Sequence, residues 1–483
     1  MGMTTERIVI RRDAFGETPL YYSLKGPNGV VFGKSVRELL NMGVPRKLSK
    51  QGLFSYLAYG CLYHPYTLIE NVWSVPPGCE VEISNGEANL RRYWAPTFKI
   101  RDWKPDELRH ELDTVLLRSV GGQVADTPAA FLSGGIDSSS IVALWRKQYD
   151  GEIRTYCVTH EDPRTDERKW ARMVADRNHT KHTELMLEDR LIRDWLDDAV
   201  SSYDQPSVDG LNFWFATRLL KEAGENVVLS GEGGDELFMG YWRFIKHQMA
   251  YKYAPIMKHL PKSVGRLMDA IAPNEKIRKL AMLSGFKGEP YYVPRRILSD
   301  WQIQKLVRPE LMEGVSAFED LELTNYPELP TDTLNRISYL ELQTVVADMW
   351  NRDGYQTSVA NGVDVRTPLL NTELAELLFT VPGKMKCDKN ISKPLLVGAA
   401  GDGLPDACVT RPKQGFSLPF DRYFAGSLRE RIDAFTAGAG CKLFRPEVIR
   451  VIGQKYKTGR CSWSRIWELF MVEDWCSRNK VYL

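Results

Sequence analysis

An apolar run that ends in a glycine pair and an acid constrains this chain more than any other feature: Ala129-Ala130-Phe131-Leu132-Ser133-Gly134-Gly135-Ile136-Asp137-Ser138-Ser139-Ser140. Residues 129–132 suit a short buried strand, and the hydroxyl-rich run from Ser138 suits the start of a helix. Between them the backbone must come close to whatever it binds, which two glycines permit. Amides at a helix start supply aligned donors and partial positive charge, so the expected ligand is a phosphate. Asp137 has the wrong sign for a phosphate and makes sense with a divalent cation between the two. No Gly-Lys-Ser/Thr follows, so this is not a Walker loop and it lacks that loop's phosphate-binding lysine.

The pattern recurs at Val227-Val228-Leu229-Ser230-Gly231-Glu232-Gly233-Gly234-Asp235-Glu236. Ligands of open parallel sheets bind at the carboxyl ends of the strands. Both loops follow apolar strands, so Asp137 and Asp235 are expected to converge on one magnesium ion. Around them, helical spacing at 106–120, 166–178 and 212–223 alternates with strand candidates at 129–132, 153–159 and 226–229. That alternation predicts a parallel sheet covered on both faces. Beyond Gly240 the pattern is mostly helical. The first hundred residues read as β-rich, with strands at 7–11, 20–24, 29–32 and 80–83, turns at 15–19 and 76–78, and a polar linker ending near Pro105.

A length of 483 residues allows two or three domains, and a net charge of +2 gives no reason to expect nucleic acid or an acidic membrane surface. No apolar run has the length of a membrane span and no signal-peptide core is visible, so a cytoplasmic protein is expected. The eight cysteines are scattered without a Cys-x-x-Cys pair, which fits reduced thiols better than disulfides or zinc. Further segments carry basic residues in loop-like settings: Gly362-Val363-Asp364-Val365-Arg366-Thr367-Pro368, Ser392-Lys393-Pro394 and Arg411-Pro412-Lys413-Gln414-Gly415-Phe416. A departing pyrophosphate builds negative charge that a fixed lysine would stabilise.

Ser133-Gly134-Gly135-Ile136-Asp137-Ser138 resembles the pyrophosphate loop of ATP pyrophosphatases. With the other segments in order, and with Arg12-Asp13-Ala14-Phe15-Gly16-Glu17-Thr18-Pro19-Leu20-Tyr21-Tyr22 near the start, the chain resembles the asparagine synthetase superfamily over nearly its full length. The resemblance implies an α/β chain with a β-rich, glutaminase-like (Ntn-type) domain at 1–100. A parallel-sheet synthetase domain with a helical C-terminal half would follow at 101–483. It implies that ATP is held by Leu132, Ser133, Gly134, Gly135, Asp137, Ser138, Val158, Ser230 and Gly231, and Mg2+ by Asp137 and Asp235. It implies catalytic roles for Glu232 in proton handling, and for Lys413 and Lys393 near the developing charge. A carboxylate would take AMP from ATP, and an amine would then displace AMP to give an amide.

Three departures shape the expectation. Family members carry a nucleophilic cysteine directly after the initiator methionine, whereas the first cysteine here is Cys61. The front of the glutaminase domain is therefore read as truncated, and glutaminase activity as absent. Tyr355-Gln356 stands where the family has Asp-Arg, which suggests either an acceptor other than aspartate or drift in a structural helix. Beta-lactam synthetases, which resemble this family, carry a tyrosine at the position of Glu232 with a downstream glutamate partner, near which Asp348 falls. The expected activity is a glutamine-independent, AMP-forming amide synthetase acting on a small-molecule or peptide carboxylate, with ammonia or a substrate amine. An intramolecular cyclase of the lasso-peptide or beta-lactam type and a degenerate, non-catalytic nucleotide-binding protein are the alternatives. Expected partners include a precursor peptide or partner protein; the N-terminal domain would serve as a homodimer surface or a lid.

Overall fold

The computed structural model describes residues 7–27, 29–162, 166–240, 243–272, 274–315, 328–411 and 429–483. The N-terminal region builds two three-stranded sheets. One has the order β1-β5-β6, from Ile8–Arg11 (β1), Cys79–Ser84 (β5) and Glu87–Arg92 (β6). The other has the order β3-β2-β4, from Gly29–Gly33 (β3), Tyr21–Gly26 (β2) and Trp73–Ser74 (β4). Alternation in β5 turns Val81 and Ile83 inward against Ile10 and Val75. On the other face, Glu80 lies opposite both Arg11 and Arg91 and pairs with each, a cross-strand charge arrangement that fixes register.

Two helices of this region, Val36–Asn41 (α1) and Lys50–Tyr59 (α2), went unread in the sequence. From Gly52 to Tyr59 every residue of α2 is buried, so the helix carries no polar stripe to betray its period. Its ends are nonetheless well marked: the Ser49 side chain accepts from the Gly52 amide, and Gly60 closes the helix in the left-handed region at φ 74°.

The chain then runs through Pro105–Gly121 (α3), Ala129–Phe131 (β7), Ile136–Arg146 (α4), Arg154–His160 (β8), Arg168–Arg177 (α5), Lys181–Leu187 (β9), Asp189–Ser202 (α6), Leu211–Glu222 (α7), Val227–Leu229 (β10) and Gly234–Leu237 (α8). A distant segment, Asp364–Arg366 (β11), completes a parallel sheet of order β11-β10-β7-β8-β9. The three expected strands are present; β9 and β11 are additional. Beyond α8 the described chain is almost entirely helical. No helix among the described residues is long and apolar enough to cross a membrane.

The two regions share a core. Tyr21, Leu53, Phe54, Tyr56 and Leu57 belong to the same apolar cluster as Trp214, Phe215, Tyr291, Trp467 and Trp475. A polar seam runs beside it, centred on a π-helical stretch, Leu342–Trp350, between the helices Thr333–Glu341 and Asn351–Asn361. Arg12, 2% exposed, donates to the Ala347 carbonyl at 2.8 Å and to Asp348 Oδ1 at 3.2 Å. A π-helical turn loosens the ordinary backbone ladder and leaves carbonyls such as that of Ala347 open to an outside donor. Asp348 Oδ2 also meets the His64 amide at 2.9 Å and its Nδ1 at 2.7 Å. Gln343 accepts from Arg92 at 3.0 Å, and Asn351 donates to the Phe15 carbonyl at 3.0 Å. Asp348, which falls near the place of the downstream glutamate, here serves the seam, with its oxygens taken up by Arg12 and His64.

Candidate active site: two loops closed on a buried lysine

Because β7 and β10 are parallel neighbours, with Ala129 beside Val228 and Ala130 beside Leu229, their following loops leave the sheet at the same end. In the first loop Gly134 has φ +72°, and a Cβ there would lie 2.5 Å from the Trp170 backbone, so only glycine fits the turn. Helix α4 starts with Gly135 as its cap and has no side-chain capping bond, leaving its first amides available to a ligand. The Ser133 hydroxyl accepts from the Gly135 amide at 3.2 Å and lies 3.3 Å from the Ser138 hydroxyl, which holds the loop in shape. Leu132 is buried beneath it, and Val158 is half-buried on the neighbouring β8.

The second loop packs directly on the first. A Cβ at Gly231 would lie 2.8 Å from the Asp137 Cβ, and one at Gly234 only 2.2 Å from Asp137 Oδ1. Glycine is what lets the carboxylate of one loop nest in the backbone of the other. The Ser230 amide donates to the Arg366 carbonyl at 2.8 Å, tying this loop to β11.

Asp137 and Asp235 do converge, as their positions suggested, and the point they share is the ammonium of Lys393. Its Nζ lies 2.6 Å from Asp235 Oδ1 and forms an ion pair with both oxygens of Asp137. Lys393 is 3% exposed. Burial alone would lower its pKa, but Asp137 and Asp235 outweigh it and hold the ammonium above the ordinary lysine range. The residue caps the helix Pro394–Ala400 with φ 55° and ψ 53°, a left-handed conformation that is unfavourable for a side-chain-bearing residue and further disfavoured before proline. Such a conformation persists because the two carboxylates hold it.

The donor set fits magnesium. Two carboxylates aimed at one cationic position, with phosphate oxygens completing the shell, is the usual environment of that ion, and the lysine marks where the positive charge belongs. Asp137 and Asp235 would hold it. Among the described residues no group of three or more His, Cys, Asp or Glu forms an all-protein metal site.

Glu232 is half-buried in the second loop, and its carboxyl is pushed up to about 8 by burial first, then by Glu236, Glu17 and Asp209. It is thus protonated near neutrality and able to give or take a proton. Glu17 comes from the N-terminal region. It accepts from the Thr367 hydroxyl at 2.5 Å just beyond β11, and burial lifts it to about 7. Nothing in the spacing of the synthetase segments pointed to Glu17, although it sits inside the 12–22 run that carried the resemblance. Tyr355 and Gln356 lie on the helix Asn351–Asn361, directly after the buried Arg352–Asp353 ion pair (2.8 Å). Lys413 lies outside the described residues.

The chain is similar to known proteins over most of its length. Residues 111–477 match the family model described as asparagine synthase, and residues 2–94 match the one described as a glutamine amidotransferase domain. Similar proteins include the Bacillus subtilis protein named asparagine synthetase [glutamine-hydrolyzing] 1, 24% identical over 87% of this chain and 67% of the relative. A putative asparagine synthetase [glutamine-hydrolyzing] of Mycobacterium tuberculosis is 26% identical over 88% of this chain and 67% of its own length. A putative asparagine synthetase [glutamine-hydrolyzing] 2 of Methanocaldococcus jannaschii is 27% identical over 62% of each chain. The chain thus spans about two thirds of the length of these relatives.

Proposed function

Because the chain belongs to the asparagine synthase family, we propose that it uses ATP to join a carboxylate to nitrogen, releasing pyrophosphate and then AMP. The observation that carries this reading is the convergence of Asp137 and Asp235, from two sheet-end loops, on a single cationic position.

In this reading the amides at the start of α4 and the Ser133 and Ser138 hydroxyls bind the phosphates. Magnesium, held by Asp137 and Asp235, would neutralise phosphate charge. Lys393 yields its place between the carboxylates and lends its charge to the phosphates instead. A substrate carboxylate oxygen bonds to the α-phosphorus as the bond to the bridging oxygen breaks, and pyrophosphate leaves with the electron pair. An amine then attacks the acyl carbon, and the bond from that carbon to the AMP oxygen breaks with its electron pair leaving on AMP. Glu232 moves the proton that the amine must lose, a task suited to a carboxyl whose pKa is pushed up to about 8. Lys413 is the proposed second cation for this charge, on the strength of its sequence context.

The nitrogen source is proposed to be free ammonia or an amine of the substrate. Cys61 and Cys79, the cysteines of the N-terminal region, are both buried, and burial pushes both thiols up, away from the reactive thiolate. An amine carried by the substrate, as in ring closure, would need no nitrogen donor at all. A small-molecule or peptide acid from secondary metabolism is the proposed acceptor.

The test uses oxygen-18-labelled carboxylates with MgATP and ammonia. Pyrophosphate release with label transferred into AMP is expected. ADP and phosphate as products, or unlabelled AMP alongside amide, would overturn the reading.

A further inference from the structure

Outside the Asp137–Lys393–Asp235 cluster, a second cation faces the phosphate loop. Arg411 follows the short helix Asp406–Thr410, and its Nη2 lies 2.6 Å from Glu167 Oε1 at the start of α5. Both side chains are buried, at 6% and 9% exposed. The guanidinium carbon stands 5.6 Å from the Trp170 ring, and Trp170 is the residue whose backbone closes on Gly134. A Cβ built on Gly135 would lie 3.7 Å from Arg411 Nη2. The guanidinium is therefore placed beside the two glycines that precede α4.

Glu167 satisfies one edge of the fork, whereas Arg411 Nη1 is buried with no hydrogen-bond partner among the described residues. A buried charged donor left unmatched is costly, and such groups call for an explanation. A guanidinium with a free amino group, beside uncapped amides and glycine, presents what a phosphate oxygen accepts.

We propose that Arg411 is a phosphate-binding residue that holds the β- and γ-phosphates of ATP, the part that departs as pyrophosphate, and that Glu167 is the positioning residue that aims it. The inference rests on the AMP-forming reading above. As the carboxylate oxygen bonds to the α-phosphorus, the bridging bond breaks and its electron pair stays on the β-phosphate oxygen. Arg411 remains protonated throughout and moves no proton. Its contribution is fixed positive charge where the leaving group gains negative charge. Lys393 is paired with Asp137 and Asp235 and Arg411 with Glu167, so the two cations are held by different carboxylates.

Titration calorimetry of the full chain with three probes tests this: magnesium pyrophosphate, MgATP and AMP. Arg411→Gln is expected to weaken pyrophosphate and ATP by roughly ten- to a hundredfold and leave AMP unchanged, since AMP lacks the β- and γ-phosphates. Glu167→Gln is expected to show the same selectivity with a smaller loss, roughly threefold to tenfold. If Arg411→Gln fails to fold, Arg411→Lys carries the test, with a selective loss between the two. Wild-type binding of all three probes with unchanged pyrophosphate affinity in the variants would overturn the inference alone. An equal loss of AMP and pyrophosphate would also overturn it, by assigning Arg411 a structural role. Failure of the wild-type chain to bind any probe would overturn the ATP reading and this inference with it.

Discussion

Two buried clusters in this molecule place a cation between acceptors, and they differ in what they leave open. At the seam, Arg12 reaches the carbonyls of Val75, Gly16 and Ala347 as well as Asp348, and Asp348 spends its other oxygen on His64. The seam lies beside the apolar cluster that the two regions share. At the sheet end, the ion-pair partners of Lys393 among the described residues are the two carboxylates, and it sits where α4 has no side-chain cap. The first arrangement holds two regions together. The second is provisional in the proposed reading: a phosphate-bound ion would take over the carboxylates and release the lysine. Buried charge by itself distinguishes neither role; the uncapped helix amides beside the carboxylates do.

The comparison breaks most sharply under substitution. Asp137→Asn or Asp235→Asn should lower ATP–pyrophosphate exchange by about two to three decades while the chain still folds, because an electrostatic contact of this kind is worth about 3–4 kcal/mol in the transition state. Exchange at the wild-type rate would remove the pair from the site. Asp348→Ala should do the reverse, with a loss of about 3–5 kcal/mol in denaturant unfolding, since Arg12 is left buried without its partner. A change within error would mean that the carbonyls alone hold Arg12.

The two clusters should also respond to pH with opposite sign. Burial raises Asp348, but His64 and Arg12 outweigh it and hold the carboxyl below its ordinary value of 3.8. Its stabilising effect is therefore present above that pH and is lost as pH falls through the depressed value. Glu232 is raised from 4.5 to about 8, so the folded state binds its proton more tightly than the unfolded state. That advantage is full below pH 4.5 and is lost as pH rises toward 8. The melting temperature of Glu232→Gln relative to wild type should thus climb with rising pH, whereas the deficit of Asp348→Asn should shrink only in acid. Parallel curves for the two variants would refute the assignment. The smallest effect belongs to Thr367→Val, which removes the hydrogen bond to Glu17 and should destabilise by about 1 kcal/mol in the same unfolding assay.

Much of the site was legible because its signals are local. A strand, two glycines, an acid and a helix start within twelve consecutive residues, and the second loop repeats the scheme. Parallel adjacency of β7 and β10 then follows from the alternating pattern. What escaped is what the chain assembles over distance. Strand β11 has three residues, too short to carry a period, and pairs with β10 across 137 positions. The cage on Lys393 depends on a left-handed backbone that no spacing encodes. Asp348 looked like a site residue because position alone cannot tell a carboxylate that faces a ligand from one that faces Arg12. Glu17 and Glu167 were silent for the same reason: each acts through a residue far away in sequence.

The most direct measurement is a crystal structure of the chain with magnesium and α,β-methylene-ATP, which cannot be cleaved at the bond in question. The account predicts that Asp137 and Asp235 turn to the ion, that Lys393 leaves the space between them, and that the phosphates rest on the amides following Gly134. A nucleotide bound elsewhere, with Lys393 still clasped by both carboxylates, would contradict it.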